Sequence, residues 1–238
     1  MIDNNMAERI KVFCIPFAGG SAAIYNTWKE LAPSTIEIVP VELAGRGSRM
    51  TDPLYKDIHA VVKDVLSIIQ PHITRERYIL FGHSMGGLIS YLLSSEIAKR
   101  GLPQPLHLFV SGKGTPHNNR PDKKKYHKMP FPEFKEKVLN LGGTPEGFFD
   151  SPELMELFLP LLISDFTLAE TEFDEQIIHP LDCDISLLIG NQEDLTSEQI
   201  EGWRDYTKGD FNVYRFEGGH FFIHDHKPAI IQLLSNHQ

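Results

Sequence analysis

Short apolar runs alternate along this chain with longer stretches in which apolar residues recur at helical spacing. Residues 78–81 form one such run, and apolar residues recur every three or four positions through 58–70. This alternation is typical of a mostly parallel β-sheet with helices on both faces. It therefore predicts an α/β protein. Strands are predicted at 11–15, 36–41, 78–81, 106–110, 185–189 and 213–216, and a closing helix at 227–234.

The alternation breaks between residues 113 and 183. This segment contains Pro121, Pro130 and Pro132, with helical stretches near 134–139 and 152–162. Roughly 70 residues is too long for a plain connection between two core strands. We therefore expect an inserted helical lid at 113–183, within a single domain that spans residues 1–238.

A serine motif marks the end of the third predicted strand. Gly82-His83-Ser84-Met85-Gly86 fits the pattern G-x-S-x-G between an apolar strand and an amphipathic helix. The serine of this motif lies on a tight, strained turn, and side chains two residues away on either side would crowd it. The helix that follows points its N-terminal amides towards developing negative charge. Ser84 is thus the predicted nucleophile of a serine hydrolase with the α/β-hydrolase fold.

A catalytic triad on this fold needs an acid and then a histidine after the serine in chain order. His220 is the predicted base, because it follows Gly218-Gly219 in the loop after the last predicted strand. His224 and His226 lie towards the closing helix and are expected to be surface or cap residues. His83 is expected to point away from the nucleophile.

The acid is expected in Gly190-Asn191-Gln192-Glu193-Asp194, directly after the fifth predicted strand. Asp194 is the preferred residue and Glu193 is the alternative. The role of the acid is to hold the histidine tautomer and to stabilise the imidazolium ion.

The oxyanion hole is expected to take one backbone amide from Met85, the residue after the nucleophile. The second amide should come from the loop after the first strand, where Ala18 or Phe17 supplies it. Gly19 and Gly20 in that loop would let the backbone approach the substrate closely.

Charge and composition exclude several other classes of protein. The formal net charge of −9 argues against a nucleic-acid partner, because the overall field repels phosphate. Cys14 and Cys183 form no Cys-x-x-Cys pair, so no zinc knuckle or disulfide framework is indicated, and we expect neither metal nor cofactor. Residues 1–9 are polar, and no apolar run approaches the roughly 18 residues of a membrane span. We therefore expect a cytoplasmic protein without a membrane partner.

Several motifs in this order resemble the type II (external, editing) thioesterases of nonribosomal peptide and polyketide synthesis. They are Ile15-Pro16-Phe17-Ala18-Gly19-Gly20, Leu43-Ala44-Gly45-Arg46-Gly47, Gly82-His83-Ser84-Met85-Gly86-Gly87, Leu141-Gly142-Gly143-Thr144-Pro145, Pro160-Leu161-Leu162-Ile163-Ser164-Asp165-Phe166 and Gly218-Gly219-His220-Phe221-Phe222. The resemblance covers nearly the whole chain. Two departures are Ala44, where the family often has proline, and the acid loop. The family usually shows Gly-x-x-Asp-Pro, whereas here one more residue precedes Asp194 and Leu195 follows it.

The resemblance implies hydrolysis of unwanted acyl or aminoacyl thioesters from the phosphopantetheine arm of carrier proteins, which restores the free thiol. It implies Ser84, Asp194 and His220 as the triad, the amides of Ala18 and Met85 as the oxyanion hole, a carrier-protein partner and a monomeric enzyme. The alternatives are a medium-chain acyl-carrier-protein thioesterase that terminates fatty acid synthesis, a general carboxylesterase and a noncatalytic scaffold. A deep apolar channel under the lid would favour the first alternative, and a shallow bowl would favour editing.

Lys123, Lys124 and Lys125 lie in the predicted lid, with Lys113, Arg120 and Lys128 nearby in sequence. Carrier proteins are commonly acidic, so docking to a net-negative enzyme calls for a local positive patch. These lysines are either that patch or a solvated loop.

Overall fold

The computed structural model of the protein describes residues 9–117, 124–145, 147–173 and 179–236. Its centre is a parallel six-stranded sheet with the strand order β2-β1-β3-β4-β5-β6. The strands are β1 (Ile10–Ile15), β2 (Ile36–Pro40), β3 (Tyr78–His83), β4 (His107–Ser111), β5 (Asp184–Gly190) and β6 (Phe211–Phe216). The predicted α/β fold with a mostly parallel sheet is confirmed.

Helices cover both faces of the sheet and divide the core into two parts. On β3, Tyr78 and Leu80 pack into one apolar cluster, and Ile79 and Phe81 pack into the other. Successive side chains of a strand point to opposite faces, which explains why this run is continuously apolar. The helices are α1 (Asn26–Leu31), α2 (Ile58–Ile73), α3 (Met85–Lys99), α4 (Phe131–Leu141), α5 (Pro152–Ala169), α6 (Ser197–Glu201) and α7 (Lys227–Asn236). Helices α2 and α3 contribute to the first cluster, and α1 and α7 to the second.

Helices α4 and α5 lie between β4 and β5 in the chain and have an apolar cluster of their own. Phe134 and Val138 of α4 pack there with Leu162 and Phe166 of α5. Helix α5 runs on to Ala169, past the expected end at 162, even though Pro160 lies inside it. Burial of this apolar face therefore outweighs the hydrogen bond that a helical proline removes. We call α4, α5 and the described residues around them (124–145 and 147–173) the lid segment.

The strand order places the candidate site. The chain adds β2 on one side of β1 and all later strands on the other, so the order reverses between β1 and β3. Ligands of open α/β sheets bind outside the carboxyl ends of the strands at such a switch point. Ser84 follows β3 directly, and the loop of residues 16–20, here the β1 loop, follows β1. No helix within the described ranges is long and apolar enough to cross a bilayer.

Candidate active site

Ser84 lies on a strained turn between β3 and α3. Its φ of 54° and ψ of −115° make it the one residue other than glycine with positive φ among the described residues. Such backbone is costly and is found mostly at functional sites. A Cβ at Gly82 would lie 2.0 Å from the carbonyl oxygen of Gly86, and a Cβ at Gly86 would lie 2.2 Å from that of Ile15. Both glycines of the motif are therefore needed, and the start of α3 is held against the end of β1.

His220 lies in the loop after β6, beside this turn. Its ring centroid is 4.9 Å from that of His83, the residue before Ser84. His83 is fully buried, and its Nδ1 lies 2.9 Å from Ser111 Oγ. Burial, with the nearby rings of His220 and His224, holds the pKa of His83 well below its ordinary value, so this imidazole is neutral. His83, which was expected to point away from the nucleophile, therefore lies against the ring of His220, the predicted base.

Glu193, rather than Asp194, contacts the predicted base. Glu193 Oε1 lies 2.6 Å from His220 Nδ1, and Oε2 accepts a 2.8 Å hydrogen bond from the Gly190 amide. The Glu193 side chain is 5% exposed, whereas Asp194 is an exposed residue. The geometry therefore favours Glu193, the alternative, over the preferred Asp194, and we revise the prediction accordingly.

Backbone packing fixes the register of the acid loop. The Glu193 amide donates to Gly190 O at 3.1 Å, which closes a tight turn at the end of β5. A Cβ at Gly190 would lie 2.4 Å from Gly219 O, so this turn rests on the backbone that leads into His220. With Gly190 as the reference, Glu193 is the residue that a Gly-x-x-acid pattern selects. The sequence contains this spacing, but the aspartate that the family usually has in this pattern favoured Asp194.

The other histidines near the site are placed differently. His224 is exposed, and His226 Nε2 lies 2.9 Å from the carbonyl oxygen of Glu217. No hydrogen bond joins the Ser84 hydroxyl to the His220 ring in the part of the chain that the structure describes. Catalytic hydrogen bonds are often long without substrate and tighten when it binds. Proton transfer between Ser84 and His220 is therefore an inference from their placement.

The β1 loop lies next to the start of α3. Gly20 N donates to Phe17 O at 2.9 Å, which closes a turn around Ala18. Met85 is the first residue of α3, and the first amides of a helix have no partner within it. Phe17 is buried against the rings of His83 and Phe221, whereas Ala18 is partly exposed. The assignment of the second oxyanion amide to Ala18 rather than Phe17 stays a prediction.

A small apolar cavity lies between the β1 loop and the lid segment. Its volume is about 120 Å³. Phe17, Ala18, Leu161, Leu162, Phe166 and Phe221 are among the residues that line it. Among the described residues that line it, none has an ionisable side chain. The cavity therefore suits a small uncharged group next to the proposed oxyanion amide.

The sequence did not predict one buried ion pair that lies near the site. Arg46 and Asp165 are 2% and 1% exposed and form two parallel hydrogen bonds of 2.6 and 2.8 Å. Both residues belong to motifs that carried the family resemblance, but nothing in the sequence indicates that they meet. The described residues contain no cluster of three or more histidine, cysteine, aspartate or glutamate side chains suited to a metal ion.

Among the described residues of the expected basic patch, three lysines contact oxygen atoms of the protein. Lys124 Nζ lies 3.2 Å from Glu133 Oε1, and Lys125 Nζ lies 2.7 Å from Glu172 Oε1. Lys113 Nζ donates to the carbonyl oxygen of Ala169 at 2.8 Å. Lys123 and Arg120 lie outside the described residues. These contacts favour the solvated-loop interpretation over a free docking patch.

A parallel sheet with a strained serine turn after a central strand, and with helices inserted above its carboxyl edge, is the α/β-hydrolase fold. The family model for the thioesterase domain matches residues 10–237. The chain therefore belongs to the thioesterase family.

Known relatives agree with this assignment. Gramicidin S biosynthesis protein GrsT of Aneurinibacillus migulanus is 34% identical over 97% of this chain and 89% of its own length. The medium-chain S-acyl fatty acid synthase thioesterase of Rattus norvegicus is 30% identical over 90% of this chain and 81% of its own length. The crystal structure of ClbQ from the colibactin NRPS/PKS pathway is 30% identical, with a TM-score of 0.87 over 97% of each chain. These comparisons confirm the predicted family and fold.

Proposed function

We propose that this protein is a serine thioesterase that hydrolyses acyl or aminoacyl thioesters on the phosphopantetheine arm of carrier proteins. It regenerates misloaded nonribosomal peptide or polyketide synthases in the cytoplasm, acting as a monomer. The observation that carries the proposal is the Glu193–His220 pair beside the strained turn at Ser84. The thioesterase family and the pathways named for GrsT and ClbQ support the substrate class.

The reaction proceeds in two steps through an acyl-serine. His220 Nε2 accepts the proton of Ser84 Oγ as this oxygen attacks the thioester carbonyl, and the amides of Met85 and Ala18 stabilise the oxyanion. The bond between carbon and sulfur then breaks, and His220 returns the proton to the leaving thiol. A water molecule, deprotonated by His220, hydrolyses the acyl-serine. Glu193 keeps the Nδ1 proton in place throughout, so that Nε2 faces Ser84.

The cavity favours small uncharged acyl groups. An apolar cavity of about 150 Å³ in another protein holds a benzene molecule, so about 120 Å³ suits a chain of a few carbons. An aminoacyl group would bring an ammonium ion that no ionisable side chain of the described lining could pair, and an unpaired charge is costly to bury. Short acyl groups are therefore the preferred substrates, and aminoacyl groups are slower ones.

The strongest alternative is release of medium-chain fatty acids, the activity named for the relative from Rattus norvegicus. That reaction needs an apolar channel for a chain of about eight carbons or more, each buried methylene contributing about 0.8 kcal/mol. The small cavity argues against it. A general carboxylesterase would act equally well on small free esters.

Hydrolysis of a matched substrate panel tests the proposal. Butyryl-, octanoyl- and leucyl-carrier proteins are compared with the same groups on coenzyme A, and thiol release is followed. Butyryl-carrier protein should give the highest kcat/KM, above butyryl-coenzyme A, with Ser84→Ala as the inactive control. Preference for the octanoyl carrier would indicate the fatty-acid alternative, and equal rates on a small oxygen ester would indicate a carboxylesterase.

A further inference from the structure

The buried ion pair joins the lid segment to the carboxyl edge of the sheet. Arg46 lies in the loop after β2, and Asp165 lies in α5, 119 residues further along the chain. Arg46 Nη1 lies 2.6 Å from Asp165 Oδ2, and Nη2 lies 2.8 Å from Oδ1. The planar guanidinium matches a carboxylate in this two-bond geometry, which fixes orientation as well as distance. The position of α5 is therefore tied to that of the loop after β2.

Both members of the pair also bond to the backbone of the β1 loop. The Gly19 amide donates to Asp165 Oδ2 at 2.7 Å, and Arg46 Nη1 donates to Gly20 O at 3.2 Å. A Cβ at Gly19 would lie 2.8 Å from Leu162 Cδ1, so α5 packs directly on this turn. Because Gly19 and Gly20 follow Ala18 in the same tight turn, these bonds restrain the backbone next to the Ala18 amide.

We propose that Arg46 and Asp165 are positioning residues for the oxyanion hole. On this proposal, the Ala18 amide is correctly placed only when α5 is docked on the β1 loop. The inference rests on the proposed function, since the Ala18 amide acts only on an oxyanion formed at Ser84. A buried ion pair contributes little net stability compared with apolar residues of similar volume, because desolvation offsets the attraction. An apolar replacement of the pair would therefore keep the fold and lose the two bonds to the β1 loop.

Three double variants separate positioning from stability. Arg46→Met/Asp165→Leu removes both bonds to the β1 loop. Arg46→Gln/Asp165→Asn removes the charges but keeps an amide oxygen that can accept from Gly19. The control is Arg49→Met/Asp64→Leu, which removes another two-bond pair, at 2.6 and 3.2 Å; within the described part of the chain neither side chain hydrogen-bonds to the β1 loop.

For each variant, kcat and KM on a short acyl thioester, the rate of Ser84 labelling by a phosphonate, and the melting temperature are measured. In Arg46→Met/Asp165→Leu, kcat and the labelling rate should fall by about 100-fold, the loss expected for a displaced oxyanion donor. KM and the melting temperature should change little. Arg46→Gln/Asp165→Asn should recover most of the loss, and the Arg49→Met/Asp64→Leu control should keep the wild-type kcat.

A folded Arg46→Met/Asp165→Leu variant with wild-type kcat would overturn the proposal, as would an equal loss in Arg46→Gln/Asp165→Asn. If the apolar variant does not fold, Asp165→Asn and Asp165→Leu are compared in an Arg46→Gln background. These two differ in the acceptor for Gly19, and equal kcat values would overturn the proposal. Wild-type protein with neither turnover nor labelling would instead refute the proposed function.

Discussion

Replacing Glu193 by glutamine removes the carboxylate that faces His220 while keeping the size of the side chain. Glu193 Oε1 lies 2.6 Å from His220 Nδ1, and the Glu193 side chain is 5% exposed, so solvent screens the pair weakly. When His220 carries the serine proton, opposite charges about 4 Å apart attract by about 4 kcal/mol at an effective dielectric constant of 20. Since 1.36 kcal/mol is tenfold in rate, Glu193→Gln should lower kcat by about 10³-fold. The corresponding change in serine proteases lowers kcat by about 10⁴-fold, tenfold more than this Coulombic attraction alone accounts for.

Asp194→Asn is the matched control for this prediction. Asp194 is exposed, and surface substitutions usually change free energies by less than about 0.5 kcal/mol, so kcat should stay within about threefold of wild type. Thiol release from a short acyl thioester measures both variants. Cys14 and Cys183 do not disturb this assay, because both are buried and burial raises the pKa of Cys183 to about 12. A larger loss in Asp194→Asn than in Glu193→Gln would refute the assignment.

Three further predictions concern the turn at Ser84, the buried His83 and the lid segment. Gly86→Ala should destabilise the fold by about 3 kcal/mol and lower the melting temperature, because the new methyl group meets the β1 backbone; an unchanged melting curve would contradict this. Because the pKa of His83 is lowered in the folded state, its contribution to stability is complete above about pH 6.5 and declines as the pH falls towards that lowered value; equal melting temperatures at pH 7 and pH 5 would contradict this. Lys124→Gln/Lys125→Gln should leave KM for a carrier substrate within about twofold, because both lysines form exposed glutamate pairs of small net effect; a salt-dependent rise in KM would restore the docking interpretation.

Local patterns were sufficient to predict the strands and the tight turn at Ser84. The expected strand at 78–81 is found as Tyr78–His83, and the glycines around Ser84 admit the tight turn that their spacing indicated. Such features depend on residues adjacent in the chain. Prediction of α5 was less complete, because a local reading gives Pro160 more weight than the burial of Leu161 and Phe166 in the folded protein.

Features that depend on contacts between residues far apart in the chain could not be predicted from local patterns. The choice between Glu193 and Asp194 depends on how the turn after β5 rests on Gly218 and Gly219, a contact made only in the fold. The pairing of Arg46 with Asp165 joins positions 119 residues apart, and no periodicity or spacing links them. For the same reason, the sequence predicted a lid but not its attachment to the β1 loop.

Intact-protein mass spectrometry after mixing butyryl-carrier protein with the enzyme tests the central claim most directly. Mixing wild-type enzyme with the carrier in equal amounts should convert the carrier to its free-thiol form. The enzyme should carry a transient butyryl adduct on Ser84. Ser84→Ala should leave the carrier loaded and the enzyme unmodified, whereas Ser94→Ala, a control on the same helix, should behave as wild type. A carrier unloaded equally fast by Ser84→Ala, or left loaded by the wild type, would contradict the account.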